Sequence, residues 1–185
     1  IWILGSTEKP IREMGLGVVV EYAGQHTQPQ WIDPPKEPWD YTIFGIGVEN
    51  ATSTNGGSDA TSAQETIETT FEKVPGGAGK FNVWLVNGKP YPHDREFVLK
   101  QGTRYRLVMR NRTDDAHPMH LHRHLWELKE INDKKTAGII KDTVVVPYYG
   151  RAVVEFTADQ PGLALFHCHI QQHMDYGFKA LFRYA

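Results

Sequence analysis

The sequence predicts an all-β protein, a β-sandwich with Greek-key connections. Short runs of β-branched and aromatic residues recur about every 8–12 residues in the C-terminal half, separated by turn residues. Helical periodicity is scarce, and its best candidate is a single turn at residues 170–175. Neither an internal repeat nor a coiled-coil heptad is visible in the sequence.

Length and composition narrow the class of protein. The 185 residues suffice for one ordinary domain and a fragment of another. A net charge of -2 and a pI near 6.5 give no overall basic field that would attract nucleic acid or an anionic membrane. No apolar run approaches the roughly 18–20 residues of a membrane span, and residues 1–10 lack the features of a signal peptide. Because the first residue is Ile1, we expect a chain that begins part-way through a longer protein.

The N-terminal part of the chain predicts a strand followed by a linker. Residues 15–22 (GLGVVVEY) are apolar and β-branched, which predicts a buried strand. Residues 25–39 carry four prolines, which remove ladder donors and fix φ, so they predict an extended linker. We place the domain boundary in this linker. Residues 1–31 then end one domain with its linker, and residues 32–185 form the next domain.

Further strands and one loop are predicted along the second domain. Residues 41–48 predict a strand, and residues 50–70 predict a long mobile loop because small polar residues dominate them. Residues 81–86 predict a strand closed by the Asn87-Gly88 turn. Residues 96–100 and 103–111, on either side of Gln101-Gly102, predict a second pairing. The remaining strands are predicted at residues 120–131, 142–146, 151–157, 163–169 and 177–184.

The only cysteine lies between two histidines, in the run Phe166-His167-Cys168-His169-Ile170. Successive side chains of a strand point to opposite faces, so His167 and His169 share one face and Cys168 takes the other. His173, in the turn that follows, can return to the thiolate side. One short strand then serves two metal sites back to back, which suits electron transfer between them.

A second cluster, His117-Pro118-Met119-His120-Leu121-His122-Arg123-His124, follows the same alternation. His120 and His122 share a face, and His117, at odd separation, turns to the other. The two clusters together predict two sites. The first comprises His117, Cys168 and His173, and the second comprises His120, His122, His167 and His169.

These donor sets indicate copper. A thiolate with two imidazoles is typical of a blue-copper centre, and four imidazoles without thiolate or carboxylate suit copper that binds dioxygen. A lone histidine on a strand is more commonly a packing or hydrogen-bonding residue. That reading does not explain the six histidines and the sole cysteine that make up the two predicted sites. Zinc is the main competing metal.

At these motifs the sequence resembles the multicopper oxidases, a family that includes laccases, bilirubin oxidases and metal-ion oxidases. His-Pro-x-His-Leu-His at 117–122 and His-Cys-His-x-x-x-His at 167–173 are similar to its two C-terminal copper motifs. The resemblance covers residues 39–185 and implies a cupredoxin-like fold, with residues 15–22 similar to the last strand of a preceding cupredoxin domain. The implied type 1 ligands are His117, Cys168 and His173, the implied type 2 ligand is His120, and the implied type 3 ligands are His122, His167 and His169.

Two positions depart from the family's pattern. Phe178 stands ten residues beyond Cys168, where many members have an axial methionine, so the resemblance implies a three-coordinate copper of raised potential. Met174 is expected to line the pocket rather than to coordinate. Arg123 replaces the glycine of the common His-Leu-His-Gly-His run. His124 is expected to support a ligand or to pack in the core.

The resemblance also implies a missing portion. The family's trinuclear cluster takes eight histidines, and this chain supplies four; the others come from two His-x-His motifs in an N-terminal domain. Here His26 and His93 are isolated. We therefore expect the chain to need the N-terminal portion of the same oxidase.

The implied function is that of a laccase-like enzyme. It would couple one-electron oxidation of phenols or similar small molecules to the four-electron reduction of O2 to water. Electrons would enter near His173 and pass through Cys168 to His167 and His169, so these four residues are the predicted catalytic group. The four methionines are not clustered, which argues against a cuprous substrate. The family expectation for location is secreted or periplasmic.

Alternatives stay open at this point. A metal-ion oxidase of the same family is one. A single-domain blue-copper electron carrier would leave four histidines unused, and a copper nitrite reductase has one histidine beside its thiolate rather than two. A structural or metal-storage domain would require a degenerate N-terminal half.

Two further patterns lie near or outside the clusters. Asn50-Ala51-Thr52 and Asn111-Arg112-Thr113 match glycosylation acceptors. The carboxylates of Glu127, Glu130 and Asp142 are expected on strand surfaces or in support of the ligands.

Overall fold

The computed structural model describes residues 2–5, 13–15, 17–24, 26–28, 40–45, 63–92 and 96–185. The backbone divides into two units, Ile1–Trp39 and Asp40–Ala185. No helix in the part of the chain that the structure describes combines the length and apolarity that a membrane span requires.

The described part of the first unit is an antiparallel ribbon of β1 (Trp2–Gly5) and β2 (Gly17–Val20). The predicted strand at residues 15–22 is therefore confirmed, but the prediction that it is buried is wrong. Val18 and Val19 are 64% and 49% exposed. Among the described residues of this unit, the ribbon has no second layer against which its valines could pack.

The second unit begins with a 3-10 helix at Tyr41–Phe44, so the prediction of a strand over residues 41–48 is wrong for its described part. The side chain of Asp40 accepts the backbone N–H of Thr42 at 2.9 Å and caps this helix. Residues 46–48 lie outside the described residues.

Eleven strands and one α-helix follow in the described part of the second unit. The strands are β3 (Glu65–Val74), β4 (Val83–Val86), β5 (Phe97–Leu99), β6 (Arg104–Asn111), β7 (His117–Leu121), β8 (Trp126–Ile131), β9 (Lys134–Lys141), β10 (Thr143–Val146), β11 (Arg151–Thr157), β12 (Ala164–Cys168) and β13 (Lys179–Tyr184). The helix α1 (Gln171–Asp175) follows β12 directly.

Two sheets form a sandwich from these strands. The five-stranded sheet has the order β10-β7-β12-β13-β5, and the six-stranded sheet has the order β4-β3-β6-β11-β8-β9. Non-consecutive neighbours in both orders are the crossings of a Greek-key topology. The predicted β-sandwich is therefore confirmed, with β7 and β12 adjacent in one sheet.

A single buried cluster draws on both sheets and forms the core. Phe71 on β3, Trp126 on β8 and Phe166 on β12 are each fully buried. Burial of one such aromatic side chain contributes roughly 1.5–3 kcal/mol. Cys168 belongs to this cluster, so the sole thiol lies among apolar side chains rather than at the surface.

Most of the predicted strands from residue 81 onward are present, and so are the predicted turns. Asn87 and Gly88 have φ of 52° and 77°, which is the geometry of a tight hairpin turn, and they close β4 as expected. The helical turn predicted at residues 170–175 is α1. β9 was not predicted, because its sequence KKTAGIIK begins with two lysines and contains Gly138.

Three predictions about pairing and extent are wrong. Residues 96–100 and 103–111 do not pair with each other: β5 pairs with β13, and β6 lies between β3 and β11 in the other sheet. Residues 120–131 are two strands in different sheets, because the chain turns at Arg123, whose φ is 71°. Residues 65–70, predicted as loop, begin β3, where β-branched residues pair with β6. Residues 50–62 lie outside the described residues.

Candidate metal centre

The alternation of β12 separates the two predicted sites as the sequence indicates. Cys168 and Phe166 point into the core and are fully buried, whereas His169 on the other face is exposed. β12 pairs antiparallel with β7 so that His167 lies opposite His120. Both histidine motifs therefore meet in the middle of the five-stranded sheet.

The inner cluster brings together His117, Cys168 and His173. The Sγ atom of Cys168 lies 3.9 Å from Nδ1 of His117 and 3.8 Å from Nδ1 of His173. One donor atom from each residue lies within 4.8 Å of the other two, and all three residues are buried. This spacing and donor set fit one copper ion in a trigonal site. The structure thus brings together the three residues of the predicted first site.

Burial sets the protonation of this inner cluster. It raises the pKa of the Cys168 thiol to about 12. It lowers the pKa of His117 to about 3, with a further contribution from His173, and it also lowers the pKa of His173. The metal-free cluster therefore carries neutral imidazoles and a neutral thiol, and a bound cation would displace the thiol proton.

Aromatic rings wall the inner cluster off from solvent. The ring of Trp84 stacks on His173 with centroids 3.8 Å apart and meets His117 edge-on at 5.1 Å. Phe178, the predicted axial non-ligand, packs against His117 with centroids 4.7 Å apart. Trp84 is 3% exposed and Phe178 is fully buried. The surroundings of the inner cluster are therefore apolar, and the ring of Phe178 offers it no donor atom.

The outer cluster gathers the other four predicted ligands, His120, His122, His167 and His169. Ring centroids of His120 lie 5.0, 5.7 and 5.2 Å from those of His122, His167 and His169. The rings of His167 and His169 are 5.1 Å apart and nearly parallel. Four imidazoles within this range suit a metal site that further ligands could complete.

Backbone carbonyls orient two of the outer rings. Nδ1–H of His120 donates to the carbonyl of Asp142 at 2.7 Å, and Nδ1–H of His167 donates to the carbonyl of Cys168 at 3.0 Å. A carbonyl only accepts, so these bonds commit Nδ1 of each ring as a donor and leave Nε2 as the atom that can bind a metal. Nε2 of His167 lies 3.0 Å from Nε2 of His122. These Nε2 atoms are the nitrogens of the outer cluster that could coordinate a metal ion.

His124 supports the cluster without joining it. Its Nδ1–H donates to the carbonyl of His122 at 2.9 Å, so its Nε2 accepts the hydroxyl hydrogen of Tyr184 at 2.7 Å. The side chain is 4% exposed and its ring faces Phe156. The left-handed backbone of Arg123 breaks the strand alternation at this point, so His124 points away from the metal ligands despite its parity.

Replacement of Arg123 by glycine is expected to stabilise the protein. Arg123 holds φ at 71°, where a side chain costs about 1–2 kcal/mol and glycine costs little. Arg123→Gly should therefore raise the free energy of unfolding by about 1 kcal/mol, as measured by urea denaturation of the metal-free protein. Arg112→Gly, outside the left-handed region, is the control and should lower it. Equal losses in both variants would show that the Arg123 side chain outweighs its backbone strain.

Several residues near the clusters were not identified from the sequence. Trp84, Thr113 and Tyr184 contact His173, His117 and His124. A tryptophan before an Asn-Gly turn carries no signal of such a contact. The Asn111-Arg112-Thr113 triplet is visible in the sequence, but its match to a glycosylation acceptor does not indicate a contact with His117.

The three nearby carboxylates have other partners. Glu127 pairs with Arg104 and Lys129 in the six-stranded sheet. Glu130 pairs with Arg151. Asp142 supports His120 through its backbone carbonyl only, as far as its described contacts go. His26 lies in the first unit, and His93 lies outside the described residues.

A family model described as multicopper oxidase matches residues 49–185 of this chain. Among curated relatives, multicopper oxidase MmcO of Mycobacterium tuberculosis is 33% identical over 101 residues, which is 55% of this chain and 20% of that protein. Laccase-12 of Arabidopsis thaliana is 31% identical over 109 residues, covering 51% of this chain and 19% of its own. Iron transport multicopper oxidase FET3 of Gibberella zeae is 34% identical over 107 residues, covering 50% and 17%. The chain thus spans about a fifth of the length of these relatives.

Solved structures share the fold. A multi-copper oxidase from Pseudomonas thermotolerans superposes with a TM-score of 0.57 at 25% identity, over 70% of this chain and 31% of that chain. A multicopper oxidase from Campylobacter jejuni, described as a metallo-oxidase, gives 0.59 at 22% identity, over 71% and 31%. The predicted cupredoxin-like architecture is therefore confirmed.

Proposed function

Because this chain belongs to the multicopper oxidase family, we propose that it is the C-terminal, copper-binding portion of a laccase-like oxidase. The observation that carries the proposal is the back-to-back placement of the two clusters, with Cys168 inside the sandwich and His167 and His169 on its outer face. The proposed reaction couples one-electron oxidation of a phenolic substrate to the four-electron reduction of O2 to water.

Copper is the cofactor of the family, and the donor atoms of both clusters suit it. Bound copper supplies reversible one-electron chemistry. The inner cluster would hold type 1 copper, and the outer cluster would hold half of the ligands of a trinuclear site. In this assignment the type 1 ligands are His117, Cys168 and His173, the type 2 ligand is His120, and the type 3 ligands are His122, His167 and His169.

The chain's own residues prepare this chemistry in three ways. Peptide bonds on either side of Cys168 lead directly to His167 and His169, so the two clusters share one covalent path. Trp84 and Phe178 exclude water from the inner cluster. This favours a site whose ligand geometry would change little between the two oxidation states of a bound copper ion. Phe178 offers no donor atom, and loss of an axial ligand favours a high reduction potential.

An exposed aromatic pair beside the inner cluster supports a phenolic substrate. The rings of Phe81 and Tyr176 lie 4.9 Å apart and are 56% and 40% exposed. The backbone carbonyl of Tyr176 accepts the backbone N–H of Trp84 at 2.9 Å, and the ring of Trp84 stacks on His173. This rim offers an apolar surface to a flat ring close to the proposed electron entry at His173.

A metal-ion oxidase is the second candidate, because two carboxylates lie near the same cluster. Asp114 and Asp115 precede His117, and Asp115 acts electrostatically on both His117 and His173. Lys73 pairs with both aspartates, at 2.9 Å from Asp115, and its ammonium also lies over the ring of Trp84. This lysine offsets the negative charge that would attract a cationic substrate, so the phenolic substrate is favoured.

The proposed partner is the N-terminal portion of the same oxidase, which would supply four further histidines to the outer cluster. His120, His122 and His169 are at least partly exposed, so their face is open to such ligands. Residues 1–31 would be the C-terminal tail of the preceding cupredoxin domain and the linker that follows it. A secreted or periplasmic location belongs to the same proposal.

The substrate is tested by truncating the aromatic rim in the full-length protein. Phe81→Ala should lower kcat/KM for 2,6-dimethoxyphenol roughly 2- to 12-fold, the equivalent of one aromatic pair at about 0.5–1.5 kcal/mol, and should leave ferrous-ion oxidation unchanged. Asp114→Asn is the matched control on the carboxylates, with the opposite pattern expected of a metal-ion oxidase. A loss confined to ferrous oxidation in Asp114→Asn would reverse the substrate assignment. Absence of O2 consumption with either substrate would favour an electron carrier.

A further inference from the structure

We propose that Asn111 and Thr113 are positioning residues that select the tautomer of His117 and so fix which ring nitrogen faces Cys168. The importance of this selection rests on the proposed ligand role of His117. The tautomer itself follows from hydrogen bonds within the chain. Asn111, Thr113 and His117 are 4%, 2% and 0% exposed, so water does not compete for these bonds.

The hydrogen bonds that run from Asn111 through Thr113 to His117 form a relay, and this relay begins at two backbone carbonyls. The Nδ2 amide of Asn111 donates to the carbonyls of Asp115 at 2.7 Å and Pro147 at 2.9 Å. Carbonyl oxygens only accept, so both hydrogens of the amide are committed and its orientation is fixed. Oδ1 of Asn111 is therefore turned toward Thr113 as an acceptor.

The next step commits the hydroxyl hydrogen of Thr113. Its Oγ1 lies 2.8 Å from Oδ1 of Asn111, and its backbone N–H donates to the same oxygen at 2.9 Å. Two oxygens at this distance attract only when a hydrogen lies between them, and Oδ1 has none to offer. The carbonyl of Asp115 is a more distant acceptor for this hydroxyl, at 3.3 Å. The hydroxyl of Thr113 therefore donates to Asn111.

The last step determines the proton on His117. Nε2 of this ring lies 2.7 Å from Oγ1 of Thr113, whose only hydrogen is already used. The contact is a hydrogen bond only if Nε2–H donates. A neutral imidazole carries one N–H, so Nδ1, which lies 3.9 Å from the Sγ atom of Cys168, keeps its lone pair. The ring is thereby prepared to bind a metal through Nδ1 before any ion arrives.

This relay also accounts for the Asn111-Arg112-Thr113 triplet. In the folded chain both Nδ2 hydrogens of Asn111 are used, and a sugar on that nitrogen would replace one of them and break the bond to one of the two carbonyls. Thr113, the other polar member of the triplet, bonds the imidazole. The triplet that matches a glycosylation acceptor therefore supports the imidazole of His117 through hydrogen bonds.

The tautomer is measured first, on the full-length protein freed of copper and labelled with nitrogen-15 at histidine. Long-range proton–nitrogen correlation spectra should show His117 with hydrogen on Nε2 alone. Thr113→Val, which removes the hydroxyl at constant shape, should populate both tautomers, and Thr113→Ser should restore the single one. Thr69→Val is the matched control, because Thr69 is equally buried and its hydroxyl bonds the carbonyl of Val108 rather than an imidazole.

Copper binding is measured second, from the charge-transfer band of the loaded inner site. Thr113→Val should raise the dissociation constant of copper at this site by about 10- to 100-fold, with recovery in Thr113→Ser and no change in Thr69→Val. Hydrogen on Nδ1 of His117 in the parent protein would overturn the proposal, even if Thr113→Val failed to fold. So would a Thr113→Val protein with the parent's tautomer and affinity. Failure of every variant to bind copper, with the tautomer as expected, would contradict the proposed function and leave the relay standing.

Discussion

Replacement of Cys168 by serine is expected to abolish substrate oxidation by the full-length protein, with a loss on the order of 10³-fold or more. In the proposed assignment the Cys168 thiolate binds the copper of the inner cluster and starts the covalent path to His167 and His169. A serine hydroxyl is a poor copper ligand and cannot reproduce the sulfur charge-transfer band. Absorption near 600 nm and O2 consumption with a phenol measure both losses.

A second serine separates chemistry from folding. Ala164 lies on the same strand and the same inner face as Cys168 and is also fully buried. Ala164→Ser should therefore lower the free energy of unfolding by about 1–3 kcal/mol, the cost of a buried hydroxyl. It should nevertheless keep the blue absorption band and the oxidase activity. If oxidation persisted in Cys168→Ser, the path through this sulfur would be wrong. If both variants lost activity equally, the loss would lie in folding.

Replacement of Phe166 by alanine is expected to destabilise the core strongly. Phe166 is fully buried two residues before Cys168, and its ring lies 6.3 Å from Phe71, 5.6 Å from Phe182 and 6.5 Å from Trp126. A large aromatic truncated at such a site costs about 3–5 kcal/mol in transfer and cavity terms. The thermal midpoint of this domain should fall by about 10 °C, measured by calorimetry on metal-free protein so that copper binding does not mask the change.

Phe81→Ala serves as the comparison, because it removes the same side chain at a position that is 56% exposed. Its loss should stay below about 1.5 kcal/mol, the contribution of the contact with Tyr176. Similar shifts in both variants would mean that the packing between the sheets contributes less than its burial indicates.

Features that depend on local alternation were predictable from the sequence. The division of His167, Cys168 and His169 between two faces follows from strand geometry alone, and the structure places them so. The same reasoning gave His117 to the inner cluster. It would mislead at His124, because a left-handed residue at Arg123 reverses the expected direction, and no pattern of hydrophobicity reports φ.

Features that depend on contacts distant in sequence were not predictable. Residues 96–100 and 103–111 have the appearance of a hairpin, yet β5 and β6 belong to different sheets. The choice between pairing and crossing is made by partners such as β13, which lies some eighty residues further along the chain. The stacking of Trp84 on His173 and the relay from Asn111 are of the same kind. Each side chain is ordinary in its own segment and acquires its role only when the sheets close.

The difference in exposure between the two clusters has a consequence for how the protein matures. His117 and His173 contact the buried ring of Trp84, and His173 is carried by α1 itself, so an ion must reach the inner donors before this short helix packs or during a transient opening of it. In the proposed assignment the outer cluster, in which His120, His122 and His169 are at least partly exposed, would receive its ions later, together with the ligands of the N-terminal portion. Metal binding would then proceed in two stages. The ion of the inner cluster would bind first and would exchange slowly with ions in solution.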